Sequence, residues 1–397
     1  MHGQDRIGAR LARRPSARRG RAVSGPLAGL RVIELEGLGP CPLAGQLLAD
    51  LGAEVTVIAR RPGPADPADI NNRGKRSIVL DLKKPQGVEA ALRLIARADV
   101  LIEGFRPGVM ERMGLGPEVC LAENPRLVFG RITGWGQDGP LAQTAGHDIG
   151  YLAITGILNA IGPADAPPPP PLNIAADYAG GTMFLLLGVL SALFERSRSG
   201  RGQVVDAAMI DGAAALMGLI HGMIARGMWR NTRGANLLDG GAPFYRCYET
   251  ADGKYLAVGA LEPQFFAELS RLAGIPAEHA GDRMDPESWP ERSAEYAALF
   301  RSRTREEWAA IFAGSDACVA PVLDWSEAPD HPQIAARGTL QQRDGVTQAA
   351  PAPRFDRTPA AEPGPPPAPG GDTEAVLAEA GYSPAEIAAL RRAGAVS

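Results

Sequence analysis

A chain of 397 residues, 45% of them hydrophobic, is long enough for two or more domains with sizeable cores. Its formal net charge of −4 argues against a generally polyanion-binding surface, and no nucleic-acid partner is expected. Four cysteines, Cys41, Cys120, Cys247 and Cys318, lie far apart without paired metal spacing, which argues against a zinc site or a disulfide scaffold and fits a reducing cytoplasm.

Residues 1–25 are arginine-rich and nearly free of acids, but Pro15 interrupts any amphipathic transit helix. A disordered basic tail or an overlong start is the expectation there, and the Ala/Arg/Pro-rich style of the chain looks bacterial. From residue 26 the pattern becomes regular: LRVIEL, PLAGQLLADLG and AEVTVIA read as strand, helix, strand, and SIVLDL, ADVLIEGF and PRLVFGRITG continue the alternation. Strands alternating with helix-length segments predict an α/β fold with a parallel sheet and crossover helices. The turn after the first strand, GLGPCP, invites a dinucleotide reading that fails because Pro42 stands where the third glycine belongs. A proline-rich connector follows at 164–171.

The uncharged run from Tyr178 to Phe194 contains glycines, serine and threonine and falls short of the about 20 apolar residues expected of a membrane span, so it reads as a buried core helix and no membrane partner is expected. VVDAAMIDGAAALMGLIHGMIA, from Val204, resumes a helical pattern. FYRCYET-ADG-KYLAVGA then predicts a β-hairpin turning at Asp252-Gly253, with helices at EPQFFAELSRLAG and REEWAAIFAGS. A proline-rich strap follows, and Ser383-Pro384-Ala385-Glu386 is a capping box opening a last helix that Gly394 stops. The expected divisions are 1–25 tail, 26–205 large α/β domain, 206–239 helical linker, 240–325 small α+β domain and 326–397 return strap with C-terminal helix.

One imidazole and several carboxylates stand out beside small residues: His147 and Asp148 in AGHDIGY, Asp177 in NIAADYAGG and Glu262 in VGALEPQFF. Together they suit proton transfer without a metal. Each also has a plainer role: Asp177 as the N-cap of the apolar helix, His147 as a hydrogen-bonded core histidine, Glu262 as a turn residue before Pro263, Asp148 as a structural partner. Spacing alone leaves both sets open.

The segments GHDIGY, PPLNIAADYAGG, GQVVDAAMIDG, RGANLLDGGAPFYRCYETADGKYLAVGALEPQFF and SDACVAPVLDWSEA resemble those of the alpha-methylacyl-CoA racemases of the family III CoA-transferase superfamily, in the same order from about Pro26 to the C-terminus. LAGLRVIEL, NNRGKRSIVLDLK, FRPGVMERMGLGP and TGWGQDGP are features of the wider superfamily. His147 and Glu262 belong to its racemase branch, and Gly150 departs from the usual asparagine of GHD-x-N-Y. The resemblance implies a large Rossmann-like parallel-sheet domain built from both chain ends, a smaller α+β domain from the middle, and an interlocked homodimer whose active site joins His147 and Asp177 of one subunit to Glu262 of the other.

It also implies an acyl-CoA thioester as substrate, with no cofactor beyond the CoA that the substrate carries. His147 and Asp177 would exchange a proton with C2 on opposite faces, Glu262 would orient His147, and backbone N–H groups of Tyr178, Ala179 and Gly180 at a helix start would meet the enolate oxygen. CoA contacts carried over by resemblance are Arg60; Leu80, Asp81, Leu82 and Lys83; Gly104, Phe105 and Arg106; Arg112; and Gly146, Ile149, Gly150 and Tyr151. Lys75, Arg76 and Lys84 fit either CoA or a structural role. Two rivals remain: a CoA transferase using Asp177 as nucleophile, which has no need of His147 with Glu262, and a non-catalytic acyl-CoA-binding protein.

Overall fold

A computed structural model describes residues 24–397; the basic tail expected over 1–25 lies, up to residue 23, outside the described residues. Strands β1 (Arg31–Leu35), β2 (Glu54–Ala59), β3 (Arg76–Val79), β4 (Val100–Glu103), β5 (Val128–Thr133) and β6 (Gln203–Ala208) form one sheet in the order β3-β2-β1-β4-β5-β6. Every neighbouring pair is parallel. Strands buried on both faces need near-continuous apolar runs, and successive residues serve opposite cores. Val32 and Val100 face a layer with Leu48, Leu185 and Val189; Ile33 and Leu101 face one with Ala91, Leu94, Val376 and Leu377. Helices Pro40–Asp50 and Pro85–Ile95 begin on proline, whose missing N–H would have been unpaired there anyway.

The C-terminal helices Thr373–Glu379 and Pro384–Arg392 pack on the same side of the sheet as Pro85–Ile95. Ser383 and Glu386 form the reciprocal capping box, and Gly394 at φ +63° lets the chain turn out of the last helix. Beyond it Leu80 bridges Val396, and the Asp81 N–H donates to the Ala395 carbonyl at 2.9 Å.

Two expectations need correction. The helical pattern read from Val204 onward begins with β6, and helices Met209–Ala215 and Gly218–Ala225 follow, so the division expected at 205/206 falls inside a strand. β6 is the sheet's edge, with Val204 40% exposed, and the run is too short and too evenly apolar for periodicity to separate strand from helix. The apolar helix after Asp177 is buried on one face only: Leu185, Val189 and Ala192 meet the sheet while Leu187, Leu190 and Phe194 are exposed. By length and composition alone Ile174–Ser199 would also pass for a membrane-crossing helix.

β7 (Tyr245–Glu249), β8 (Tyr255–Gly259) and β9 (Val319–Pro321) make a separate antiparallel sheet, turning at Gly253 with φ +72°. An aromatic core of Phe244, Phe266, Trp289, Tyr296, Phe300 and Trp308 packs its helices, of which Arg305–Phe312 starts on a Thr304–Glu307 capping box. The hairpin β10 (Leu340–Arg343) and β11 (Val346–Ala349) then returns to the large domain. Arg73 fixes it there, donating to Gln348 and the Ala349 carbonyl at 2.7 Å each while its other nitrogens hold Asp50.

Candidate active site

β1 and β4 lie side by side, yet the chain leaves β1 towards β2 and leaves β4 towards β5. Such a reversal opens a crevice beyond the carboxyl ends of the strands. Here the crevice is a cavity of about 370 Å³ lined by the post-β1 segment from Leu38 to Cys41, the post-β4 loop from Gly104 to Pro107, and Thr133 at the end of β5 with Gly134 and Trp135 after it. His147 and Asp177 both line it, with Gly146 and Tyr151. Residues distant in sequence thus share one small space at the switch point of the sheet.

His147 is exposed at the N-cap position of helix Asp148–Ile154, in extended backbone, and its side chain caps nothing. Asp177 lies inside a helix that opens at Ile174 and is π-wound to Thr182, continuing as the α-helix Met183–Ser199. It is therefore not the N-cap. That duty falls to Asp148, which is 4% exposed and whose Oδ2 accepts the N–H groups of Ala176 and Asp177, both at 2.8 Å. The Asp177 carboxylate is left for the cleft, where its Oδ2 faces Gly39 across 3.9 Å from the place of an added Cβ. Burial and then the neighbouring Asp148 charge push Asp177 above the ordinary carboxyl value, against a hydrogen bond from Asn173 and the proximity of His147. Desolvation and a like charge both disfavour the ionised form.

The same winding removes the oxyanion site expected at Tyr178, Ala179 and Gly180. The helix begins before them, so these N–H groups sit within it and not at an open first turn. Tyr151 supplies a different donor: burial, then the Asp177 charge, push its phenol up to about 12, so the hydroxyl keeps its proton. Its ring lies over Gly134, where a Cβ would come within 2.1 Å of it, and meets Trp135 edge-on at 4.7 Å.

Of the residues carried over by resemblance, Gly104, Phe105, Arg106, Gly146 and Tyr151 line the cleft; Arg60, Leu80 to Lys83, Arg112, Ile149 and Gly150 do not. Arg60 is exposed and paired with Glu36 at 3.3 Å. Leu80 has its side chain in the core at 2% exposure, and its backbone and that of Asp81 are engaged with the C-terminus. A Cβ at Gly150 would meet nothing within 4 Å, so glycine in place of asparagine leaves space open without straining the helix. Glu262 stands outside the cleft, exposed on the loop after β8, where its charge raises the Cys318 thiol after burial has done so.

Lys75, Arg76 and Lys84 have structural partners: Lys75 holds Glu34 at 2.6 Å in full burial, Arg76 pairs with Glu379, and Lys84 donates to the Ala393 carbonyl. The post-β1 loop lines the cleft although GLGPCP, as a broken dinucleotide fingerprint, gives no motif-level sign of it. Its place after the first strand of a parallel sheet was the signal for a crevice of any kind.

Residues 27–373 match the sequence profile of CoA-transferase family III. The chain is 46% identical over 366 residues to the alpha-methylacyl-CoA racemase of Mus musculus, covering 92% of this chain and 96% of that one. It is 45% identical over 371 residues to the alpha-methylacyl-CoA racemase of Homo sapiens, covering 91% and 95%. Among solved structures, a CAIB/BAIF family protein from Brucella suis superposes with a TM-score of 0.76 at 28% identity, covering 90% of this chain and 100% of that one.

Proposed function

The chain belongs to CoA-transferase family III, and on that footing we propose that it interconverts the (2R) and (2S) epimers of 2-methylacyl-CoA thioesters by 1,1-proton transfer. The observation that carries the reading is His147 and Asp177 lining one cleft. A thioester α-hydrogen is a weak acid. One residue takes the proton from C2, the electron pair of the broken C–H bond moves onto the thioester oxygen as an enolate, and the other residue returns a proton to the opposite face. Handedness of the substrate decides which residue is base and which is acid.

An imidazole is suited to both roles near neutrality. The elevated affinity of Asp177 for a proton suits it to the same exchange, since a carboxyl at its ordinary value would rarely be protonated at pH 7. Among the groups lining the cleft, the Tyr151 hydroxyl is a donor for the enolate oxygen. We assign Arg106 to a phosphate of CoA, with Gly104, Phe105 and Gly146 beside it. Two bases suffice for this reaction, so it draws on no cofactor beyond the CoA within the substrate.

We further propose an interlocked homodimer in which Glu262 of the second subunit orients His147. The support is that Glu262 lies outside its own chain's cleft and that the Leu187, Leu190 and Phe194 face is uncovered. Four free cysteines favour a reducing compartment such as the cytoplasm, which cell fractionation checks.

The test is incubation of one 2-methylacyl-CoA epimer in D₂O without any free acid acceptor. Deuterium at C2 with loss of optical activity is expected. No uptake at C2, with a covalent acyl adduct at Asp177, would replace the racemase by a transferase.

A further inference from the structure

The loop that carries Arg106 begins at Glu103, the last residue of β4, and ends at Glu111 in the short helix Val109–Arg112. One guanidinium holds both flanks. Arg131, in the middle of β5 and 6% exposed, donates from Nε to Glu103 Oε1 at 2.8 Å. Its two terminal nitrogens grip Glu111, Nη1 to Oε1 at 2.8 Å and Nη2 to Oε2 at 3.3 Å. Glu103 is fully buried, and its second oxygen accepts the Phe105 N–H at 2.6 Å, inside the loop itself. A planar fork gripping two carboxylates fixes direction as well as distance.

Between these anchors the cleft-lining residues Gly104 to Pro107 present Arg106, whose guanidinium makes no hydrogen bond or salt bridge among the described residues. An exposed, unpaired arginine contributes to affinity only as far as its backbone is already placed, because ordering it on binding costs entropy. We infer that Arg131 is a positioning residue for the acyl-CoA site: by clamping Glu103 and Glu111 it holds the loop from which Arg106 reaches the CoA phosphates. This rests on the assignment of Arg106 to CoA given above, and none of the three clamp residues touches the cleft.

Removing Arg131 or Glu103 would leave a buried charge alone, so the variant that isolates the role is Glu111→Ala. The Glu111 side chain is 44% exposed, and its loss keeps the Arg131–Glu103 pair. Calorimetric titration of free CoA into the full-length parent comes first; a parent that binds no CoA overturns the assignment of Arg106 and this inference with it. Given a binding parent, Glu111→Ala should weaken CoA by roughly 3- to 30-fold, and KM for acyl-CoA should rise in step while kcat stays within about twofold. Arg131→Lys, which keeps the charge but cannot fork, should shift both in the same direction. In an Arg106→Ala background Glu111→Ala should have little further effect. Unchanged CoA affinity in a folded Glu111→Ala protein, a fall in kcat without a rise in KM, or full additivity with Arg106→Ala would each overturn the clamp.

Discussion

Asp148 acts on Asp177 in two ways: one oxygen holds the Ala176 and Asp177 N–H groups, and its charge, after burial, raises the proton affinity of the neighbouring carboxyl. Asp148→Asn should therefore lower the Asp177 pKa. For the epimer on which Asp177 acts as base, the acid limb of kcat/KM should move to lower pH; for the other, the rate near neutrality should fall because the protonated form is scarcer. pH–rate profiles of both epimers check it, and an acid limb that stays in place in a folded protein would contradict the coupling. Asp177→Asn and His147→Ala should each cost about 10²- to 10⁴-fold in turnover. Which residues to test follows from the family resemblance, because a histidine and carboxylates beside small residues have plainer roles that spacing alone leaves open. Their division of labour was not legible in the sequence: capping depends on which carboxylate points back at the helix, and Asp148 is 29 positions from the amide it serves.

The helix bearing Asp177 crosses helix Met209–Ala215 at unusually close range. An added Cβ at Gly180 would lie 2.6 Å from the Ala213 nitrogen, and one at Gly212 would lie 1.8 Å from the Gly180 carbonyl oxygen. Gly212→Ala must push the π-wound segment away, costing about 1–3 kcal/mol in overpacking and lowering kcat through the displaced carboxylate. Gly281→Ala, with nothing near its added Cβ, is the control expected within about 0.5 kcal/mol of the parent. Thermal melts with kcat measurements compare the two, and equal stabilities would show that the crossing yields. Five of the six strands of the large sheet were legible as apolar runs, since burial on both faces leaves a continuous signature. The π winding was not, because it differs from an α-helix only in which carbonyl each N–H reaches, and sequence periodicity barely registers that shift.

Glu262 standing outside its own cleft makes the assembly testable by subunit complementation. If each site draws His147 from one chain and Glu262 from the other, mixed dimers of His147→Ala and Glu262→Ala chains contain one site with both defects and one intact. Co-expression should then restore activity that neither variant has alone, while no gain would require both residues from the same chain. The domain arrangement itself was beyond composition and periodicity, which register local burial but not which chain supplies the covering surface. The stitching of Leu80 to Val396 and of Asp81 to Ala395 adds a consequence of another kind. Closing so long a loop costs little more entropy than closing a shorter one, so it weighs on the rate of folding more than on final stability. During synthesis all six strands of the large sheet are made by about residue 208, yet the flank of β3 waits for Ala395 and Val396. A nascent chain stalled before residue 395 would therefore hold every strand of the large sheet and still lie open along that seam.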